Sequence, residues 1–262
     1  MIVGFPLWVV ILVCVGVFLG SFIDAIAGGG GTVTVPTYLL ALHDMPAYYA
    51  LSTNKLSAGL GTIFSAVRYI KNRCVDWRLA PVGFVLALVG SAIGAWLQLH
   101  TPENILKYAL LVVLPCVAVV TLRAKNWPDA PGEMPFVRRA AIVWAAALVI
   151  GAYDGYYGPG TGTFLVLVFI RFAKMDARTA AGTAKLVNLA SNLGSLFTAA
   201  VNGYVLWGLG LIAAAASMLG HWTGAGVAIK NGSRIVKPAI ILALCLLAVK
   251  VLTELLFPGF WA

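Results

Sequence analysis

Charge is what this chain has least of. Asp, Glu, Lys and Arg make up 10% of its 262 residues, against about a quarter in a soluble domain. Apolar residues fill 61%, and the mean hydropathy is +0.94. No water-soluble fold of this length hides so much apolar surface, so most of the chain is expected to face lipid or other membrane helices. The four cysteines (Cys14, Cys74, Cys116, Cys245) show neither CxxC nor metal-ligand spacing. No disulfide framework and no metal centre are expected. HExxH, GxSxG and GxxxxGK[ST] are also missing, which leaves metalloprotease, esterase and nucleotide-binding chemistry without support. The chain is expected to be neither an enzyme nor the carrier of a cofactor.

Long apolar runs are abundant instead. Measured against the roughly 20 residues that span a bilayer, full-length candidates fall at about 6–27, 48–70, 79–99, 105–122, 140–157, 179–201, 206–228 and 238–257. A cleaved signal peptide is a poor account of the first run, because comparable runs recur to the C-terminus. Two shorter pieces, 32–42 and 163–172, each follow a glycine-rich break. At about 1.5 Å per residue they cover half the hydrocarbon core. Each is therefore half of a broken helix or of a re-entrant hairpin, which is tolerated only inside protein or beside a water-filled cavity.

The chain is also duplicated. Asp24-Ala-Ile-Ala-Gly28-Gly-Gly30-Gly31 with Thr53-Asn54-Lys55-Leu56 recurs, 130 positions later, as Asp154-Gly-Tyr-Tyr-Gly158-Pro-Gly160-Thr161 with Thr183-Ala184-Lys185-Leu186. The offset also relates Met45/Met175, Asn72/Asn202, Trp77/Trp207, Gly90/Gly220 and Gly94/Gly224. Three domains result: a first transmembrane repeat (1–122), a cytoplasmic linker rich in proline and charge (123–139) and a second repeat (140–262).

The net charge of +9 does not point to nucleic acid, because its distribution is that of membrane loops. Four loops, at 68–78, 123–139, 171–178 and 230–237, hold 14 of the 18 Lys and Arg. Assigned to the cytoplasm, they put both termini outside. Each loop then lies on the opposite side from its repeat partner. The expected fold is an all-α polytopic membrane protein of two inverted-topology repeats. Each repeat has about four full transmembrane helices and one short broken or re-entrant helix.

Seven of the nine acids fall in loops or at segment ends; Asp24 and Asp154 do not. A carboxylate inside a membrane costs at least about 2.5 kcal/mol. Each Asp either caps the break beside it or takes part in coupling. Lys55 and Lys185 lie about seven residues inside their runs. Each is either paired with the Asp of its own half, 31 residues earlier, or draws an anion towards the midplane. The helices after the glycine breaks would add positive N-terminal ends. Lys55, Lys185, Thr53, Asn54, Thr183, Asn188 and Asn192, with Gly28, Gly30, Gly158 and Gly160, thus describe a small-anion site. Gly90/Gly94 and Gly220/Gly224 read as helix-packing motifs. His221, opposite Ser91 in the repeat, reads as a satisfied polar residue between helices. Most Trp and Tyr lie near segment ends, as interface anchors; Tyr153, Tyr156 and Tyr157 are placed to line the site.

The two acid-glycine motifs, with Ser52-Thr53-Asn54-Lys55-Leu56 and Ala184-Lys185-Leu186-Val187-Asn188, resemble the TauE/SafE sulfite-exporter family of membrane transporters, nearest its YfcA-like branch. The resemblance covers nearly the whole chain. It implies transport of small sulfur-containing anions, such as sulfite or organosulfonates, across a bacterial plasma membrane. Ala184 stands where the first half has Asn54, so the half-sites are unequal. Alternating access at a midplane site is the expected mechanism; an anion channel and an intramembrane enzyme or assembly factor are the alternatives. Proton coupling and homo-oligomerisation stay open.

Overall fold

The computed structural model describes residues 2, 4–101 and 132–256. The expected span at 105–122 and most of the linker 123–139 lie outside the described residues. Among those described, the regular elements are nine helices: α1 Leu7–Ala27, α2 Gly31–Ala41, α3 Ala47–Lys71, α4 Ala80–His100, α5 Phe136–Tyr156, α6 Thr161–Arg171, α7 Ala177–Val201, α8 Trp207–Asn231 and α9 Ser233–Leu256. The boundaries follow local chemistry. Pro6, Pro46 and Pro135 stand at the N-caps of α1, α3 and α5, where a missing N–H costs nothing. Asp176 caps α7 by accepting from the amides of Arg178 and Thr179. α3 and α7 end alike: Asn72 and Asn202 close them, and Arg73 and Gly203 follow with positive φ.

Three pairs of helices related by the 130-residue offset have equal lengths, while α4 and α8, also so related, have 21 and 25 residues. α1 and α5 have 21 residues each, α2 and α6 have 11, and α3 and α7 have 25. The packing is reciprocal as well: α1 lies along α8 as α4 lies along α5, α3 along α8 as α4 along α7, and α3 crosses α7 at the centre. α9 packs on α1 and α8. The small-xxx-small motifs sit at two of these contacts. A Cβ on Gly90 or Gly94 would run into the carbonyls of Leu148 or Ala152 on α5; on Gly220 or Gly224 it would strike those of Phe18 or Phe22 on α1. Glycine there lets backbones approach closely, where packing rather than hydrophobic exclusion drives association.

The short helices fold back. α2 returns along α1, with Thr37 against Gly16 and Thr34 against Gly20. α6 returns along α5. Of the two alternatives open in the sequence, re-entrant hairpins are the ones formed. The breaks are shorter than the glycine strings: non-helical backbone covers residues 28–30 and 157–160, while Gly31, Thr161 and Gly162 already belong to the returning helices. The base of the first hairpin (Tyr38, Ala41, Leu42) is buried with Ala50 at the start of α3. The base of the second (Phe169, Ile170, Ala173) is buried with Ala66 and Tyr69 near its end. α3 spans about 37 Å at 1.5 Å per residue, so the two hairpins enter from opposite ends of the bundle.

Among the described residues, four helices, α1, α4, α5 and α8, are long and apolar enough to cross a membrane. Their outward residues, among them Ile11, Val15, Val85, Ile93, Val149, Leu211 and Leu219, are exposed and apolar, as lipid contact requires. α3 and α7 are as long but carry buried polar residues, including Asn54, Lys55, Thr62, Lys185, Asn188 and Asn192. The other helices shield these two, so their polar residues face protein. Trp8, Trp77, Trp96 and Trp207 are exposed near helix ends, where amphipathic rings suit an interface.

Candidate functional site

The hairpin tips meet. Gly28 ends α1 with φ 78°, a conformation that glycine adopts without strain, and its Cα lies directly against Gly162. Its carbonyl accepts from the Thr163 amide at 3.1 Å, and the Thr163 hydroxyl donates to the Ala27 carbonyl at 2.9 Å. One amide at the start of α6 is thus spent on the opposite hairpin and is not free for an anion.

Beside this junction the two lysines and two aspartates pair crosswise. Lys55 Nζ on α3 lies 2.8 Å from Asp154 Oδ2 on α5 and donates to the Asp154 carbonyl at 2.7 Å. Lys185 Nζ on α7 lies 2.5 Å from Asp24 Oδ2 on α1. Each half supplies the acid for the other half's base. The pairing within a half, at a spacing of 31, does not occur, because α3 turns its Lys55 face towards α5 and α7 turns its Lys185 face towards α1. Both aspartates hold their own breaks too. Asp24 Oδ1 accepts from the Gly30 amide at 3.2 Å, and Asp154 Oδ1 from the Thr161 hydroxyl at 2.8 Å.

A cavity of about 40 Å³ opens between the tips and the centre of α3 and α7, more than the roughly 10–15 Å³ that one water needs. Of the residues expected in the site, it brings together Asp24, Gly28, Gly30, Asn54, Lys55, Asp154, Gly158, Asn188 and Asn192. Lys185 does not reach the cavity wall; the Asp24 carboxylate it binds does. Gly160, at φ 85°, serves the turn into α6 and stays off the wall. Thr53 and Thr183 are diverted altogether. The Thr53 hydroxyl accepts from the Leu206 amide at 3.1 Å and that of Thr183 from the Asp76 amide at 3.0 Å, each pinning the loop before the neighbouring long helix. Tyr153 donates to the Pro159 carbonyl at 2.7 Å and braces the second tip.

Three contributors are absent from the sequence-derived site. Thr161 lies within a quoted motif but carries no expected role. Ser191 donates to Asp154 Oδ2 at 2.7 Å, and His221 lines the cavity. Repeat matching hides the last two, since Ser191 corresponds to Gly61 and His221 to Ser91. The expectation of a satisfied His221 also fails: it is 1% exposed, yet its Nδ1 has no hydrogen-bond partner among the described residues. Asn54 Oδ1 is likewise buried without one.

A second, smaller cavity touches the other side of Lys55, walled by Ser52, Gln98, Tyr157, Ser195 and Ala199 among others. Around Lys185 the equivalent of Ala199 is Tyr69, which is 1% exposed and donates to the Ala25 carbonyl at 2.9 Å. The surroundings of Lys55 are therefore looser than those of Lys185.

Helices with lipid-facing flanks, packed around re-entrant tips and buried ion pairs, define a multi-pass α-helical membrane protein, and its relatives are named as transporters and not as enzymes. The chain belongs to the TauE/SafE family: the family model "Sulfite exporter TauE/SafE" matches residues 12–251. It is 33% identical over 249 residues to a "Probable membrane transporter protein" of Haemophilus influenzae, covering 93% of this chain and 94% of the relative. It is 32% identical to "Probable membrane transporter protein ORF9" of a Sinorhizobium species (92% and 91% covered) and 30% identical to "Probable membrane transporter protein YfcA" of Escherichia coli K12 (90% and 87%). No solved structure matches the chain.

Proposed function

We propose that the protein is an alternating-access carrier of small sulfur-containing anions, sulfite or an organosulfonate, in a bacterial plasma membrane. The observation that carries this reading is the cavity where the tips meet, whose wall includes Lys55, Asn54, Asn188 and Asn192. Ammonium and amide N–H groups are the donors an oxyanion accepts. Residues 1–122 and 140–262 are taken as inverted-topology repeats, with the linker 123–139 cytoplasmic and both termini extracytoplasmic. Loop charges, matched helix lengths and hairpins entering from opposite ends support that reading. A site on the seam between such repeats is exposed to either side when one half rocks against the other. The looser packing around Lys55 than around Lys185 agrees with a molecule caught nearer one end of such a cycle.

The test is a thermal-shift series in detergent with sulfite, sulfate, methanesulfonate and chloride, followed by uptake into liposomes. A ligand bound only by the folded state raises the melting point, and carrier uptake saturates. Uptake that stays linear in concentration, as through a channel, or no stabilisation by any sulfur oxyanion, refutes the reading.

A further inference from the structure

Two lysine–aspartate pairs lie beside the cavity, so the buried charge sums to zero when all four groups are ionised. An anion entering such a site adds a charge that nothing balances, which a low-dielectric interior strongly disfavours. One of the four must change its charge, or a cation must enter too.

The two carboxylates differ in their freedom to do so. Asp154 is held by three donors, Lys55 Nζ at 2.8 Å, Ser191 Oγ at 2.7 Å and Thr161 Oγ1 at 2.8 Å. Among the described residues, the Asp24 carboxylate takes only Lys185 Nζ and the Gly30 amide within hydrogen-bond distance. The difference is written in the repeat: where the second half has Thr161 and Ser191, the first has Gly31 and Gly61, and both hydroxyls are lost. A Cβ on Gly61 would strike the His221 ring, so the missing side chain makes the room that the imidazole occupies. His221 Nε2 lies 3.8 Å from Asp24 Oδ2, beyond hydrogen-bond distance. The other titratable groups facing Asp24 are Lys185 from α7 and Tyr69 from α3, the latter engaged by the Ala25 carbonyl. Lys55, also on α3, is engaged by Asp154. α2 and α6 bring no titratable side chain to the cavity, and α9 meets the break through Ala243 at Gly29. On the Asp24 side an entering anion meets the carboxylate, not Lys185.

We propose that Asp24 takes up one proton with each anion bound in the central cavity, so that anion and proton are bound together. The inference rests on the carrier reading above. The carboxylate becomes a carboxylic acid, Lys185 keeps its charge, and that charge balances the anion. Asp154 stays ionised throughout, held by Lys55, Thr161 and Ser191. The unequal half-sites thereby divide the work: one aspartate holds structure, and the other carries the proton.

The test is calorimetric titration of the full chain in detergent with methanesulfonate, a monoanion of fixed charge, and with sulfate, nitrate and chloride. Each titration is run in two buffers of different ionisation enthalpy between pH 5.5 and 8.5. Uptake of about one proton per anion is expected, with affinity rising about tenfold per unit fall in pH while free Asp24 is ionised and bound Asp24 is not. Asp24→Asn should bind with less than about a twofold change across the range and with no proton uptake. If that variant does not yield folded protein, Asp24→Asn with Lys185→Gln removes the whole pair; the charge that balances the anion is then gone too, so binding should weaken by at least about tenfold and show no proton uptake. Binding by the unaltered chain without proton uptake, or proton uptake that survives loss of Asp24, overturns the proposal and leaves the carrier reading standing. Failure of all four anions here and of sulfite in the thermal-shift series overturns the carrier reading, and this inference with it.

Discussion

Lys55 and Asp154 lie 99 positions apart in opposite halves of the chain, yet their side chains meet at 2.8 Å with almost no exposure to solvent. Lys185 and Asp24 make the reciprocal bond across 161 positions. A duplicated protein that paired each lysine with its own aspartate would hold two self-sufficient halves. The crosswise arrangement makes each half incomplete without the other, and it ties the hairpin tips to the central helices of the opposite repeat. Motion of one half against the other must therefore strain or remake these pairs.

The crosswise pairing has a direct thermodynamic signature. Lys55→Gln leaves Asp154 buried without its cation and should cost about 3–5 kcal/mol. In a double-mutant cycle measured by thermal unfolding in detergent, Lys55→Gln with Asp154→Asn should be strongly non-additive. Lys55→Gln with Asp24→Asn should be close to additive. The opposite ranking would restore pairing within each half.

Gly28 and Gly203 separate two uses of the same backbone conformation. Both have positive φ, 78° and 75°. A Cβ on Gly28 would collide with the Gly162 backbone, whereas one on Gly203 would meet nothing within 4 Å. Gly203→Ala should cost about 1 kcal/mol, the conformational penalty alone. Gly28→Ala should prevent the tips from meeting and lose folded protein. Similar melting points for the two variants would argue against a tip-to-tip junction.

Thr53→Val and Thr183→Val test the diverted threonines. Each removes a hydroxyl acceptor from a loop amide, that of Leu206 or Asp76, and should lower stability by about 1–3 kcal/mol. Anion affinity should be unchanged in both. A loss of affinity without a loss of stability would return these residues to the binding site.

Orientation is open to cysteine labelling in membranes. Glu133→Cys and Gly203→Cys, at positions expected on opposite sides, should react with an impermeant thiol reagent from opposite faces. Cys14, Cys74, Cys116 and Cys245 are replaced beforehand. Reaction of both from one face would refute the inverted topology.

Much of this protein was legible before any coordinates. Apolar run length and glycine position are local signals, and α1, α3, α7 and the two short helices begin and end within a few residues of where those signals put them. The 130-residue offset also singled out Asp24, Asp154, Lys55 and Lys185, because an ionisable residue repeated in apolar surroundings is costly and needs a reason.

What only the tertiary structure decided is who partners whom. Thr53 and Lys55 are two residues apart on one helix and therefore point in different directions, one to a loop and one to the cavity; spacing along the chain does not say which. Ser191 escapes notice, and His221 reads only as a polar residue between helices, because repeat matching searches for sameness and their counterparts Gly61 and Ser91 differ. His221 matters because its ring occupies room that Gly61 leaves, and Ser191 because its hydroxyl holds Asp154. Helix formation is dictated by neighbours a few residues away. The exchange of ion pairs depends on how α3 and α7 are rotated about their axes, and that rotation is set by packing against α1, α4, α5 and α8.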